Sequence, residues 1–328
     1  MPVLALDFGG TTIKLGLLEQ GRLLAQSSLP NTSRRSDLNA VLRAVAALQE
    51  QAGIGPEELL GVGLSLPGIV DPGRGRLLSL KEKYGYGLEM NWREWAEASF
   101  ALPCVIENDA RAATIGEARY GVARGCDNLV MMILGTGIGS GALIGGRLLG
   151  GAHHQAGILG GHFVVEAGGY LCNCGNRGCL EVQAGSWNMP RIARDHPDFA
   201  GSRLAGETRL DFQAFCRAAQ AGDAVGRELV ARLARYWAIG LINLIHAYDP
   251  EKVVLSGGLL GGAHLFEGDL RAYVRRHAWT PWGTPEILFS RHPEASVLLG
   301  LDYLLRQHVG APCGLQNDSA AKPSGVEA

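Results

Sequence analysis

The 328-residue chain has no uncharged run approaching the ~18 residues that a membrane helix needs. Its start, Met-Pro-Val-Leu-Ala-Leu-Asp, has neither the basic leader nor the apolar stretch of a signal peptide. A membrane location is therefore not expected, and the reading is cytoplasmic. Charge is sparse and balanced: 19% of residues are charged and the net charge is -2, so no bulk attraction to nucleic acid or to an anionic membrane is expected. Cysteines number seven, an odd count with three crowded into residues 172–179, which argues against a disulfide framework in so large a chain. No G-x-G-x-x-G follows the first strand and no Walker A motif is present, which excludes the usual dinucleotide and P-loop fingerprints. What remains is a chain that is 47% apolar and long enough for two compact domains of about 150 residues each.

Glycine is in surplus: 47 residues, about 14% of the chain and roughly twice the usual share. With no collagen-like period, these glycines read as backbone devices in loops. Residues 4–24 laid over residues 129–149 without a gap give identities at Gly10/Gly135, Thr11/Thr136, Ile13/Ile138, Gly16/Gly141 and the run from Gly21/Gly146 to Leu24/Leu149. Each copy reads as strand, Gly-Thr turn, strand, Gly turn, strand. Gly-rich hairpins resemble one another, but the extent of the match favours a duplicated domain. Asp7 ends the first strand of copy one, and its counterpart in this overlay is Met132. Copy two carries the denser run Gly135-Thr-Gly-Ile-Gly-Ser-Gly141. Successive backbone N–H groups in such turns form anion-binding hollows, and glycine lets phosphate oxygens approach closely. The pair suggests a nucleotide phosphate chain held between domains, with Asp7 acting on Mg²⁺ directly or through water.

Other segments fit alternating α/β architecture. Ser36 precedes a helix with Leu38, Val41, Leu42, Val45 and Leu48 on one face, closed by Gly53. Val62–Leu66 reads as a strand ended by Pro67-Gly68, and Val105–Glu107 as another, leading into a helix from about Asn108 to Arg119. A long amphipathic helix is expected over Ala224–His246, with Leu229, Leu233, Trp237 and Leu241 inward. Lys252–Leu255 reads as a strand entering Ser256-Gly257-Gly258, and residues 311–328 as a frayed tail.

Asn108-Asp109 stands where a strand gives way to a helix, so its side chains point toward an interdomain cleft. The helix N-terminus favours an ionised carboxylate there. A base that takes a hydroxyl proton in phosphoryl transfer needs such a carboxylate beside the attacking oxygen. The same pair also suits an ordinary N-cap. Cys172-Asn-Cys174-Gly-Asn-Arg-Gly-Cys179, with His162 ten residues upstream of Cys172, supplies three thiolates and an imidazole. That set closes a tetrahedral Zn²⁺ shell, so the metal is expected to be structural. His162 has a second ring nitrogen to orient a ligand, and Glu181 follows the cluster. His153 and His154 lack such partners and are expected at the surface.

These motifs, in this order, resemble the ROK family of bacterial sugar kinases and sugar-responsive repressors, from about Val3 to Leu305. Asp7-Phe-Gly-Gly-Thr-Thr resembles the family's first phosphate motif and Leu134-Gly-Thr-Gly-Ile-Gly-Ser-Gly its second. Val253-Val-Leu-Ser-Gly-Gly258 resembles its adenosine-side motif, Glu107-Asn-Asp-Ala its sugar and catalytic segment, and His162 to Glu181 its zinc signature. The resemblance implies a two-domain α/β actin/hexokinase-like (ASKHA) fold with duplicated βββαβα cores and an interdomain cleft. The first domain would cover residues 1–115 plus 293–310, and the second 116–292. It implies ATP with Mg²⁺, held by Asp7, Gly9, Gly10, Thr11, Thr12 and Lys14, by Gly135, Thr136 and Gly137, and by Gly257 and Gly258. Asp109 would be the base, and Asn108, Asp109, His162, Glu181 and Gly68 would meet the sugar. Structural zinc would sit on His162, Cys172, Cys174 and Cys179, in what is usually a homodimer.

Three departures bear on the substrate. Most family kinases carry Glu three residues before the zinc histidine, and here that position is Leu159. A lost carboxylate removes a charge-assisted hydrogen bond of about 1.5–3 kcal/mol. Arg111 stands where Asn is common, and residues 79–87 replace a segment that usually helps line the sugar site. The expected function is ATP-dependent phosphorylation of a hexose 6-hydroxyl, with glucose the default and an N-acetylhexosamine or glucoside as alternatives. A repressor is disfavoured because the first phosphate strand begins at Val3, leaving no place for a helix-turn-helix ahead of it. A sugar binder with weak catalysis, or a chaperone-type ATPase that would leave the zinc loop unexplained, completes the alternatives.

Overall fold

The computed structural model describes residues 1–79 and 85–313. It opens with β1 (Val3–Phe8), β2 (Thr12–Glu19) and β3 (Arg22–Pro30), followed by α1 (Ser36–Ala52), β4 (Gly61–Leu66) and the small hairpin β5 (Ile69–Asp71) and β6 (Arg76–Ser79). Next come α2 (Trp92–Phe100), β7 (Cys104–Asn108) and α3 (Asp109–Arg119). The second half begins with β8 (Leu129–Leu134), β9 (Ile138–Ile144) and β10 (Arg147–Leu148). It continues through α4 (Leu180–Ala184), α5 (Met189–Arg194), α6 (Phe212–Gln220) and α7 (Ala224–Tyr248). The chain ends in β11 (Lys252–Ser256), α8 (Glu267–His277), β12 (Glu286–Phe289) and α9 (Ser296–Val309).

Two five-stranded sheets result, ordered β3-β2-β1-β4-β7 and β10-β9-β8-β11-β12. In each, a three-stranded antiparallel meander is extended by two parallel strands. The glycine repeat thus corresponds to a repeat of topology. The registers correct the ungapped overlay at one point. Phe8 pairs with Ile13 around residues 9–12, whereas Leu134 pairs with Ile138 around residues 135–137, so the second turn is one residue shorter. With Ile13 set on Ile138, the counterpart of Asp7 becomes Ile133 rather than Met132.

Local chemistry explains the elements. β1 and β4 are buried at every position, as parallel strands covered on both faces are. α1 ends at Gly53 in a left-handed conformation, φ 65°, with its N–H returned to the carbonyls of Gln49 and Glu50. At its start the Ser36 side chain makes no cap. The Asp37 carboxylate accepts from the Thr32 N–H at 2.9 Å and the Thr32 hydroxyl at 2.6 Å instead. α7 buries Leu229, Leu233, Trp237 and Leu241 on one stripe. Trp237 meets Phe266 and Phe212 edge-on at 4.9 and 5.4 Å, and these rings anchor the core beneath the second sheet. No helix among the described residues is long and apolar enough to cross a membrane.

Between the sheets lie α3 and α9. α9 packs on β1, β2, β4 and β7, while α3 packs on β8, β9 and α9. α3 is buried from Ala110 to Arg119. The two helices cross at glycines: a Cβ on Gly116 would strike the Ser296 carbonyl, and one on Gly300 the Ala112 carbonyl. Polar groups lock the crossing, with Glu117 Oε1 accepting from the hydroxyls of Ser290 and Ser296, each at 2.5 Å. A buried Asp302–Arg306 pair at 2.8 Å ties α9 back to the β2–β3 turn, through Asp302 and the Gly21 N–H at 2.8 Å.

The crossing makes an unusual mutational prediction. Alanine normally favours a helix over glycine by about 1 kcal/mol. Gly300→Ala is nevertheless expected to lower unfolding stability by about 1–3 kcal/mol, because the added methyl must push two backbones apart. Urea denaturation measures this directly, and a stabilised variant would show that the helices do not meet this closely.

Candidate active site

The C-terminal ends of β4 and β7, the tight turn after β8 and the segment after β10 enclose a cavity of about 410 Å³. Asn108 is the last residue of β7 and the N-cap of α3. Its Oδ1 accepts from the Arg111 N–H at 3.1 Å, while its Nδ2 donates to the Gly68 carbonyl and to Asp109 Oδ1, both at 2.9 Å. Asn108 therefore caps the helix and also orients the neighbouring carboxylate. Asp109 Oδ1 accepts a second bond from the Ala110 N–H at 2.8 Å. Burial pushes the Asp109 carboxyl up to about 7, the Asp7 carboxylate adds to the rise, and the Ala110 and Asn108 donors oppose it.

Asp7 is buried at the end of β1. It accepts from the Ser65 hydroxyl at 2.6 Å, with Lys14 Nζ 3.9 Å from its other oxygen. Burial raises its pKa, and Ser65 and Lys14 pull it back. The Asp7 carboxylate in turn raises the cost of ionising Asp109, which a cation beside the two would offset. Ser65 had a faint sequence signal, as the lone hydroxyl in an otherwise apolar buried strand.

Of the turn residues expected to meet phosphate, Gly135, Thr136 and Gly137 line the cavity. Gly257, at φ 102°, abuts the end of β8: a Cβ there would strike the Leu134 carbonyl. Gly258 follows it at the start of a short 3₁₀ helix. Gly9, Gly10, Thr11 and Thr12 are not among the cavity-lining residues. They form the neighbouring β1–β2 turn, where Asn31 holds both sides through the Gly9 carbonyl at 2.5 Å and the Thr11 carbonyl at 3.0 Å.

Behind the second turn stands the cysteine loop. The ligand atoms of His162, Cys172, Cys174 and Cys179 lie within 4.8 Å of one another, with Cys172 Sγ 3.7 Å from His162 Nδ1 and the sulfurs of Cys174 and Cys179 3.4 Å apart. A tetrahedral Zn²⁺ with bonds of ~2.3 Å needs ligand separations of about 3.8 Å. Burial, then the neighbouring thiols, push the Cys179 thiol up to about 12, so ionised ligands at this spot call for a cation. The donor set fits zinc. His162 turns Nδ1 to the cluster while its ring lines the cavity.

α4 carries that anchorage to the turn. Glu181 Oε2 accepts from the Ile138 N–H at 3.0 Å, and the N–H groups of Ser186 and Trp187 donate to the carbonyls of Gly135 and Thr136, both at 3.1 Å. Glu181 therefore faces the cavity with one oxygen already committed to the turn. Leu159, 37% exposed, lines the same cavity as the apolar side chains of Ile69, Ile133, Ile138 and Ile158. His153 is exposed, as expected, but His154 is not merely a surface residue: its Nε2 lies 3.5 Å from Asp71 Oδ1. Of the segment 79–87, residues 80–84 lie outside the described residues, as do 314–328 of the expected tail.

The chain is 30% identical over 267 residues to the glucokinase of Halalkalibacterium halodurans, covering 77% of this chain and 79% of that one. It is 26% identical to the xylose repressor of Bacillus subtilis, over 92% of this chain and 73% of the repressor. A ROK glucokinase from Streptomyces griseus, solved with glucose and AMPPNP, superposes with a TM-score of 0.79 at 29% identity, covering 94% of this chain and 100% of that one. The model of this family matches continuously from residue 3 to residue 318, through both sheets, the cavity between them and the cysteine loop, and the chain belongs to the ROK family.

Proposed function

We propose that this chain transfers the γ-phosphoryl group of ATP to the 6-hydroxyl of a hexose, with Asp109 as the general base. The chain is an ATP-dependent hexose kinase of actin-like fold. The observation that carries the mechanism is a carboxyl lifted to about 7, sharing one 410 Å³ cavity with Gly135-Thr136-Gly137 and with His162. A base with a pKa near the working pH both stays ionised often enough and accepts a proton readily. The sugar oxygen attacks the γ-phosphorus as its proton passes to Asp109, the bond to the β-phosphate oxygen breaks, and ADP leaves.

The remaining roles follow from position. Asn108, Gly68 and His162 face the cavity where sugar hydroxyls would bind. Both Asn108 amide hydrogens are committed to Gly68 and Asp109, so Asn108 would meet a hydroxyl through its oxygen, and Glu181 has one oxygen left for the same task. The turn at 135–137 offers phosphate oxygens the backbone N–H groups of Thr136 and Gly137, the Gly135 N–H being taken by the Gly137 carbonyl at 3.0 Å. Gly9, Gly10, Thr11, Thr12 and Lys14 approach the phosphates from the first turn, and Gly257 and Gly258 from the nucleoside side. Bound Mg²⁺ would neutralise phosphate charge, and Asp7 is the residue that fits it. Zn²⁺ on His162, Cys172, Cys174 and Cys179 would fix the histidine ring and brace α4. We place the domain boundaries at residues 1–115 plus 293–310 and 116–292, and take the assembly to be a homodimer working in the cytosol, where ATP is the donor. Glucose is the first substrate to test. Leu159 favours a second reading, a sugar binder with weak or vestigial catalysis, because its side chain offers a sugar hydroxyl no hydrogen bond.

Two experiments, an activity assay and a metal analysis, test these assignments. With Mg-ATP and a panel of hexoses, N-acetylhexosamines and glucosides, ADP release should occur with at least one sugar. Asp109→Asn should lower its kcat by about 10²–10⁴-fold while sugar binding by calorimetry changes little. Unchanged turnover in that variant would overturn the assignment. Metal analysis should find one zinc per chain, and Cys174→Ser should lose the metal and melt several degrees lower, on the order of 1–3 kcal/mol of lost stability. Metal-free protein from a chelator-free preparation would contradict the zinc reading.

A further inference from the structure

Arg111 lies in the first turn of α3 and is 2% exposed. A guanidinium carries five N–H donors in a fixed fork and does not lose its charge, so burying one requires acceptors all around it. One carboxylate and four carbonyls supply them. Nη1 lies 3.4 Å from Glu107 Oε1, and Nε donates to the Leu149 carbonyl at 3.0 Å. Nη2 faces the carbonyls of His154 at 2.8 Å, Ala156 at 3.2 Å and Gly150 at 3.3 Å.

All four carbonyls belong to one stretch, 149–156, which contains no helix or strand. Glycines and exposed side chains dominate it, so it has little packing of its own. Its reach is nevertheless long. His154 Nε2 lies 3.5 Å from Asp71 Oδ1 of β5, and two residues beyond Ala156 the chain enters the cavity as Ile158 and Leu159. At the other end of the network, Glu107 Oε1 also accepts from the Asn108 N–H at 2.7 Å, beside the base.

We propose that Arg111 is a positioning residue that sets the sugar wall of the cavity against Asp109. It gathers the 149–156 stretch by its carbonyls and so places Ile158 and Leu159 at a fixed distance from the base. It does not itself line the cavity, and none of its hydrogen bonds goes to the turn at 135–137. Its effect is therefore on the sugar and not on the nucleotide, an inference that rests on the sugar-kinase reading above.

Two variants test this. Arg111→Lys keeps the charge beside Glu107 but cannot span four carbonyls. Arg111→Met combined with Glu107→Gln removes both charges, so neither is left buried alone. In each, sugar KM should rise by about tenfold or more while ATP KM stays within about twofold. Amide hydrogen exchange over 150–157 should quicken, with β8 and β9 unchanged. A sugar KM within about twofold of the unmodified protein in both variants, or an ATP KM rising in parallel, would overturn the proposal. If the unmodified protein phosphorylates no sugar, the kinase reading falls, and exchange decides separately: faster exchange over 150–157 upholds the positioning role and unchanged exchange removes it.

Discussion

The close crossing of α3 and α9 is the constraint on which the site depends. The two helices form the layer between the sheets, and their backbones approach so closely that Gly116 and Gly300 have no room for a side chain. Because α3 is buried along almost its whole length, its first residue cannot wander. That residue is Asp109. The N-terminus of a fixed helix thus presents a carboxylate at the end of β7, with Asn108 holding both the helix cap and the acid. A carboxylate held by the core in this way pays little ordering entropy when substrate arrives.

Charge is the second theme. Three carboxylates lie near the cavity in low dielectric, and each has a different counterweight. Glu107 is pushed up by burial and pulled back by Arg111. Asp7 has Ser65 and the more distant Lys14. Asp109 has hydrogen-bond donors but no ion pair among the described residues, and the Asp7 carboxylate raises it further. On the proposed mechanism this unequal distribution separates the roles: Glu107 serves structure, Asp7 would suit a metal, and Asp109 would take the proton.

Much of this was legible in the sequence where the signal is local. The glycine repeat anticipated two meanders with the same topology, and the cysteine spacing anticipated four ligand atoms in one cluster. Asn108-Asp109 was legible because a strand-to-helix junction is a short-range pattern. The one-residue error at Asp7 arose because matching glycines in the turns hid a shortened loop, which only strand register exposes. Contacts between distant segments left no such trace. Ser65 meets Asp7, His154 meets Asp71, and Arg111 gathers carbonyls some forty positions away, each through a fold that brings unrelated stretches together. The same holds for Glu181, whose hydrogen bond to the turn at 138 depends on how α4 docks.

The central claim is that a carboxyl lifted by burial acts as the base. The pH dependence of kcat/KM for the sugar tests it most directly, since that ratio reports groups in the free enzyme. Asp109 must be ionised to accept a proton, so the rate should fall about tenfold per pH unit below a midpoint near 7, the value to which burial raises this group. A profile that stays flat down to about pH 5, as an ordinary carboxylate would give, would contradict the account.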